Sequence, residues 1–102
     1  MKHVNEVFSL ENTESKTNVN INVTLSDNVT SIGKHAFEDC SSLTSVVIPD
    51  SVTDINGDAF LGCTNLKTVN YKGTQEQWGQ ISIGNDNGNL ISATVNYNYT
   101  GE

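Results

Sequence analysis

No stretch of this 102-residue chain approaches the roughly 20 apolar residues needed to cross a bilayer. Its opening, MKHVNEVFSLENTESK, has no apolar centre of the secretory-signal kind. Membrane insertion is not expected. Cationic side chains are scarce: Lys2, Lys16, Lys34, Lys67 and Lys72 are scattered along the chain against twelve acidic residues, for a formal charge of −7. Broad contact with nucleic acid or anionic lipid needs clustered basic residues, so neither partner is expected. Two cysteines are neither a disulfide framework nor a zinc set, and two histidines do not change that. Charged residues reach only 17 %, while Asn, Ser and Thr abound, which disfavours a helical bundle and suits strands.

What the chain does have is a repeat. Leu25–Val47 laid over Ile48–Asn70 aligns without a gap at a period of 23, matching Val29 with Val52, Ile32 with Ile55, Ala36 with Ala59 and Phe37 with Phe60. Cys40 with Cys63, Leu43 with Leu66 and Val46 with Val69 complete the register, and Tyr71 takes the slot of Ile48. The shared positions are apolar and the differing ones mostly polar, the pattern of side chains that face a common core. Twenty-three residues are too few for a helix pair and fall among leucine-rich units, each giving a short strand and a return. The expected fold is a leucine-rich repeat solenoid: a short right-handed β-solenoid, mainly β with short helical or 3₁₀ turns. LTSVVI and LKTVNY supply the strands, Pro49 ends one ladder, and GKHAFEDC is short enough for a single helical or 3₁₀ turn.

The flanks read as modified ends of a domain over 19–99. Residues 19–25 form half a repeat, with Val23 and Leu25 in the phase of Val46 and Ile48 but Asn20 in the slot of Leu43. Residues 25–47 and 48–70 are full repeats, and 71–99 is a C-terminal cap that closes the open end. In the cap, Thr74 and Gln77 predict a capping box, Trp78 and Ile81 share one face of a short helix, and Ala93, Val95, Tyr97 and Tyr99 alternate along a last strand. Trp78, Ile81, Val95 and Tyr97 are the expected cap core, although Trp78 with the tyrosines would also suit a sugar-stacking platform. Residues 1–18 are a leader or a short capping helix, and 100–102 a tail.

At N-x-V-T-x-I-x-x-x-A-F-x-x-C-x-x-L-x-x-V-x-I-P the repeat resembles the BspA-type leucine-rich repeats of bacterial surface and secreted proteins. The resemblance is carried by Val29, Ile32, Ala36, Phe37, Cys40, Leu43, Val46, Ile48 and Pro49, and again by Val52, Ile55, Ala59, Phe60, Cys63, Leu66 and Val69. It implies a secreted or cell-surface location and a role in adhesion, host-protein binding or display.

Chemistry finds little support. Cys40 and Cys63, one turn apart, suit stacked buried thiols, with a disulfide the alternative. His35 opposite Asp58 is an incidental surface pair, and no Ser/His/Asp set can be assembled. The carboxylates of Asp27, Glu38, Asp39, Asp50, Asp54 and Asp58 match no calcium loop, and GNDNGN reads as a turn. No enzyme activity and no cofactor are expected. The variable outward positions Thr44, Ser45, Val47, Lys67, Thr68, Asn70 and Lys72 form the candidate protein-binding face. An acidic surface favours a basic or polar partner, such as a host or matrix protein. End-to-end self-association is a further expectation, and a carbohydrate-binding module or a structural spacer are the alternatives.

Overall fold

The computed structural model describes Lys2–His3 and residues 20–101; the sequence expectations for the rest of 1–18 lie outside the described residues. The chain winds through two parallel sheets, each receiving one strand per turn. One sheet holds β1 (Lys2–His3), β3 (Val29–Ile32), β5 (Asp54–Ile55) and β7 (Ser82–Ile83) in that order. The other holds β2 (Ile21–Thr24), β4 (Leu43–Ile48), β6 (Thr68–Tyr71) and β8 (Thr94–Asn96). This is a leucine-rich solenoid, and the period of 23 is the pitch of its central coils: Val23, Val46 and Val69 stand in register across the second sheet, with Val95 joining them 26 positions on. Ile32, Ile55 and Ile83 do so across the first.

The core between the sheets is the set of repeat-matched residues. Ile32, Phe37, Leu43, Val46, Ile48, Ala59, Phe60, Cys63 and Val69 are completely buried, and Val29, Ala36, Cys40, Val52, Ile55, Leu66 and Tyr71 nearly so. The Phe37 and Phe60 rings stack at 5.2 Å between centroids, the offset arrangement aromatic pairs favour. Neither Cys40 nor Cys63 is in a disulfide, and both are buried. The Cys63 thiol donates to the Phe37 carbonyl at 3.0 Å. Its contact with Cys40, together with burial, pushes its pKa far above the usual thiol range, so it stays protonated and inert.

Between the sheets the chain makes the expected short turns of 3₁₀ type, each closed by a hydrogen bond three residues back. Ala36 N–H donates to Gly33 O and Cys40 N–H to Phe37 O, a pattern repeated by Ala59 to Asn56 and Cys63 to Phe60. Two of the amides in between bond the next coil, Phe37 N–H reaching Ala59 O at 2.7 Å and Asp39 N–H reaching Leu61 O at 2.6 Å, while Glu38 N–H turns back to His35 O. Inter-coil bonding replaces a continuous helical ladder. It requires left-handed backbone at His35 and Asp58, and again at Asp39 and Gly62, one period apart.

Three expectations for the flanks change. A shift of register in β2 pairs Ile21, not Asn20, with Leu43, so the slot is filled by an apolar side chain packed on the core. The capping box forms as expected, Gln77 N–H donating to Thr74 Oγ1 and Thr74 N–H to Gln77 Oε1, but the helix α1 is only Gln75–Gly79. Ile81 lies beyond it, buried as part of the core, while Trp78 packs edge-on against Tyr71 at 5.0 Å. Downstream, Gly88–Ile91 forms the second short helix, α2, and β8 ends at Asn96, leaving Tyr97 packed against the core beyond the strand. Segment 71–99 therefore supplies a strand to each sheet. Ile55 to Ile83 is 28 positions where Ile32 to Ile55 is 23, and the surplus is the stretch that folds as α1.

Candidate interaction face

Side chains on a strand alternate, so if the valine row faces inward the rows on either side of it face out. On the second sheet one outward row is Asn22, Ser45, Thr68 and Thr94, and the other is Thr24, Val47, Asn70 and Asn96. These rows bring together four of the sequence-predicted face residues, Ser45, Val47, Thr68 and Asn70. Thr44 is the second residue of β4, and Lys67 is exposed just before β6. Lys72 stands apart, past the end of β6, with its Nζ 3.1 Å from Asp27 Oδ1.

Val47 departs from the expectation of an exposed contact. It is only 8 % exposed although it lies outside the core cluster. Its neighbours along the row are Thr24 and Asn70, one from the coil on each side. Val47 is the apolar floor of the face.

The face is bonded to itself. Ser45 Oγ donates to Asn22 Oδ1 at 2.6 Å, the Thr44 hydroxyl is within reach of Asn22 Oδ1 and Ile21 O, and Asn96 Nδ2 donates to Asn70 Oδ1 at 2.9 Å. Amide and hydroxyl groups held in this way lose little rotamer freedom when a partner docks. No residue of the two rows is charged, so the acidic character expected of the face belongs elsewhere, to turns carrying Asp27, Asp50, Asp58 and Asp86. Asn22, Thr24, Thr94 and Asn96 were not among the residues predicted from sequence. The tripeptide Thr-Val-Asn at 68–70 and again at 94–96 was the available signal for half of them.

The other sequence candidates are structural or separate. His35 Nδ1 lies 2.9 Å from Glu38 Oε1 and 3.6 Å from Asp58 Oδ2, on the turn surface away from any nucleophile. His3 is in β1, and Asp54 accepts hydroxyl bonds from Ser31 and Thr53. Among the described residues no group of three or more His, Cys, Asp or Glu is placed to hold a metal ion, and no helix is long and apolar enough to cross a membrane. The buried polar residue that sequence reading missed is Asn87. It is 1 % exposed, with Oδ1 accepting Phe60 N–H at 2.8 Å and Nδ2 donating to Asn56 O and Gly84 O at 3.0 and 3.1 Å.

The stacked coils, the 23-residue register and the cysteine ladder coincide with a known family pattern: the model of the BspA type leucine rich repeat region (6 copies) matches residues 7–100. The chain belongs to this family. A solved structure described as a leucine rich cell surface protein from Faecalibacterium prausnitzii A2-165 is similar at 38 % identity and a TM-score of 0.58. The similarity covers 60 % of this chain and 16 % of that protein, so the matched part is a small fraction of the longer chain. No curated protein matches. The chain is a leucine-rich-repeat module of the BspA type.

Proposed function

We propose that the outward face of the β2–β4–β6–β8 sheet is the surface by which this module engages another protein, in a secreted or cell-surface setting. The observation that carries this reading is the two-row array of uncharged, mutually hydrogen-bonded side chains over a fixed core. Its residues can vary without disturbing the stack beneath, which suits recognition. The surface setting is supported by the similar protein of Faecalibacterium prausnitzii, described as a cell surface protein. A host-surface or matrix protein is the proposed partner.

Because the rows are neutral, affinity at this face should depend little on salt. The test is binding to a panel of extracellular-matrix and host-surface proteins, with a glycan array in parallel, comparing the native chain with the double variant Thr68→Glu/Asn70→Glu. Protein binding lost with circular dichroism retained supports the reading. Saturable glycan binding abolished by Tyr99→Ala moves the function to the carbohydrate alternative. A folded domain with no signal in either panel reduces the module to a spacer. End-to-end association through residues 19–25 is a second proposed contact, favoured by an outer strand β2 without charge or proline. A mass constant over a light-scattering concentration series would remove it.

A further inference from the structure

The insertion that makes the last coil longer also makes a pocket. Its volume is about 170 Å³, and Asp50, Thr53, Tyr71, Gln77, Gln80 and Ile81 are among the residues that line it. Asp50 lies in the turn after Pro49, Tyr71 ends β6, and the glutamines come from α1 and the residue that caps it. The volume is several times the roughly 30 Å³ that a water molecule occupies in the liquid, enough for one extended side chain. The walls are pre-set: the capping box pins the Gln77 amide, and the Tyr71 ring is held by Trp78.

The chemistry of the pocket is one-sided. It has a carboxylate and no cationic residue, so an anion would meet an uncompensated negative charge. The negative charge of Asp50 is felt within the pocket: burial first and that carboxylate second push the Tyr71 hydroxyl above its usual pKa. Ile81 and the Tyr71 ring offer apolar contact for an aliphatic stem.

The fold itself provides a precedent for the occupant. Asp27 stands one period before Asp50, and it binds the ammonium of Lys72, which extends from the strand end two places along the sheet. The corresponding residue two strands on from Asp50, at the end of the β8 segment, is Asn98. Among the described residues Asp50 has no ion-pair partner, so the carboxylate that is neutralised internally in one coil is left open in the next, now with a pocket beside it.

We infer that this pocket receives a lysine side chain of a partner protein, its stem against Tyr71 and Ile81 and its ammonium on Asp50. The inference deepens the protein-interaction reading by giving the partner a basic residue, and it uses a surface distinct from the sheet rows. The probe is the peptide acetyl-Gly-Lys-Gly-amide, titrated into the ¹⁵N-labelled chain and followed by amide chemical shifts. Controls are the isosteric norleucine peptide, the arginine peptide and methyl glucoside.

Saturable shifts confined to Asp50, Thr53, Gln77 and Gln80 are expected for the lysine peptide. Asp50→Asn should weaken them by about tenfold or more, Asp27→Asn should leave them unchanged, and added salt should weaken them several-fold. The arginine peptide binding more tightly would replace lysine as the occupant and overturn the assignment. So would equal shifts with norleucine, preference for the glucoside, retention of binding in Asp50→Asn, or no saturable shift. A chain with Thr68→Glu/Asn70→Glu that loses its protein partner but keeps the lysine-peptide shifts separates failure of the sheet face from failure of the pocket.

Discussion

The two central coils and the coil that follows them solve one problem by different means. In the central coils the Phe37 amide is satisfied by the main-chain carbonyl of Ala59, one period on. Where the last coil takes over, the Phe60 amide is satisfied by the side chain of Asn87, while Asn87 Nδ2 reaches the main-chain carbonyls of Asn56, Gly84 and Asn85. A side-chain amide carries the same donor and acceptor chemistry as a peptide, so a single asparagine continues the ladder where the backbone no longer keeps the period. Regular stacking and irregular closure are both ways of leaving no buried polar group unpaired.

The comparison can be broken most forcefully at the phenylalanine stack. Phe60→Ala should cost about 4 kcal/mol, and Phe37→Ala about the same, because both rings are wholly buried. Denaturant titrations in which Phe60→Ala cost under about 1 kcal/mol would mean that the last coil does not seal the core as the others do. Next comes Asn87→Leu, which keeps the branching of the side chain but removes the acceptor for Phe60 N–H and the donor to Gly84 O. About 3 kcal/mol is expected from the same titration, since each unpaired buried group costs about 1–3 kcal/mol.

Glycines sharpen the contrast further. A Cβ on Gly84 would lie 2.6 Å from Gly57 N, backbone against backbone where the last coil closes on its neighbour, whereas one on Gly79 at the end of α1 meets nothing. Gly84→Ala should destabilise by about 2 kcal/mol and Gly79→Ala should stabilise by a few tenths to about 1 kcal/mol. Thermal midpoints moving in the same direction would contradict the placement of the two loops.

A smaller effect concerns pH. The buried Tyr71 hydroxyl has its pKa raised above the usual 10.0, so the native state favours the neutral phenol. Its contribution is fully present below about pH 10 and is lost as pH rises through the higher native value. Stability measured against pH should fall on the alkaline side, and Tyr71→Phe should flatten that fall. Smallest of all, Thr68→Val on the outward row should change stability by no more than about 0.5 kcal/mol.

Much of this was legible because a repeat reports its own core. Any position that stays apolar at Val29 and Val52, or at Phe37 and Phe60, must face the stack, and the buried set follows from the alignment alone. The last coil was harder because the extra residues of α1 destroy a fixed period. Two matching fragments survived the insertion, Ser-Ile-Gly at 31–33 and 82–84 and Thr-Val-Asn-Tyr at 68–71 and 94–97, and they mark the strands on which the last coil closes. Leu90 and Asn87 had no counterpart to align with. GNDNGN does bend, with left-handed backbone at Asp86, but turn preference could not show that the Asn87 side chain would bond the Phe60 amide. For the candidate face, strand alternation placed Ser45, Val47, Thr68 and Asn70 in the two rows but said nothing of the near-complete burial of Val47.

Hydrogen exchange at two amides tests the central claim most directly. If Asn87 stands in for the missing backbone partner, the Phe37 and Phe60 N–H groups should be protected to within about tenfold of each other, both near the level set by global unfolding. In Asn87→Leu the Phe60 amide alone should lose that protection while Phe37 keeps its own relative to the variant's stability. A Phe60 amide that exchanges at the rate of an open loop in the native chain would contradict the account.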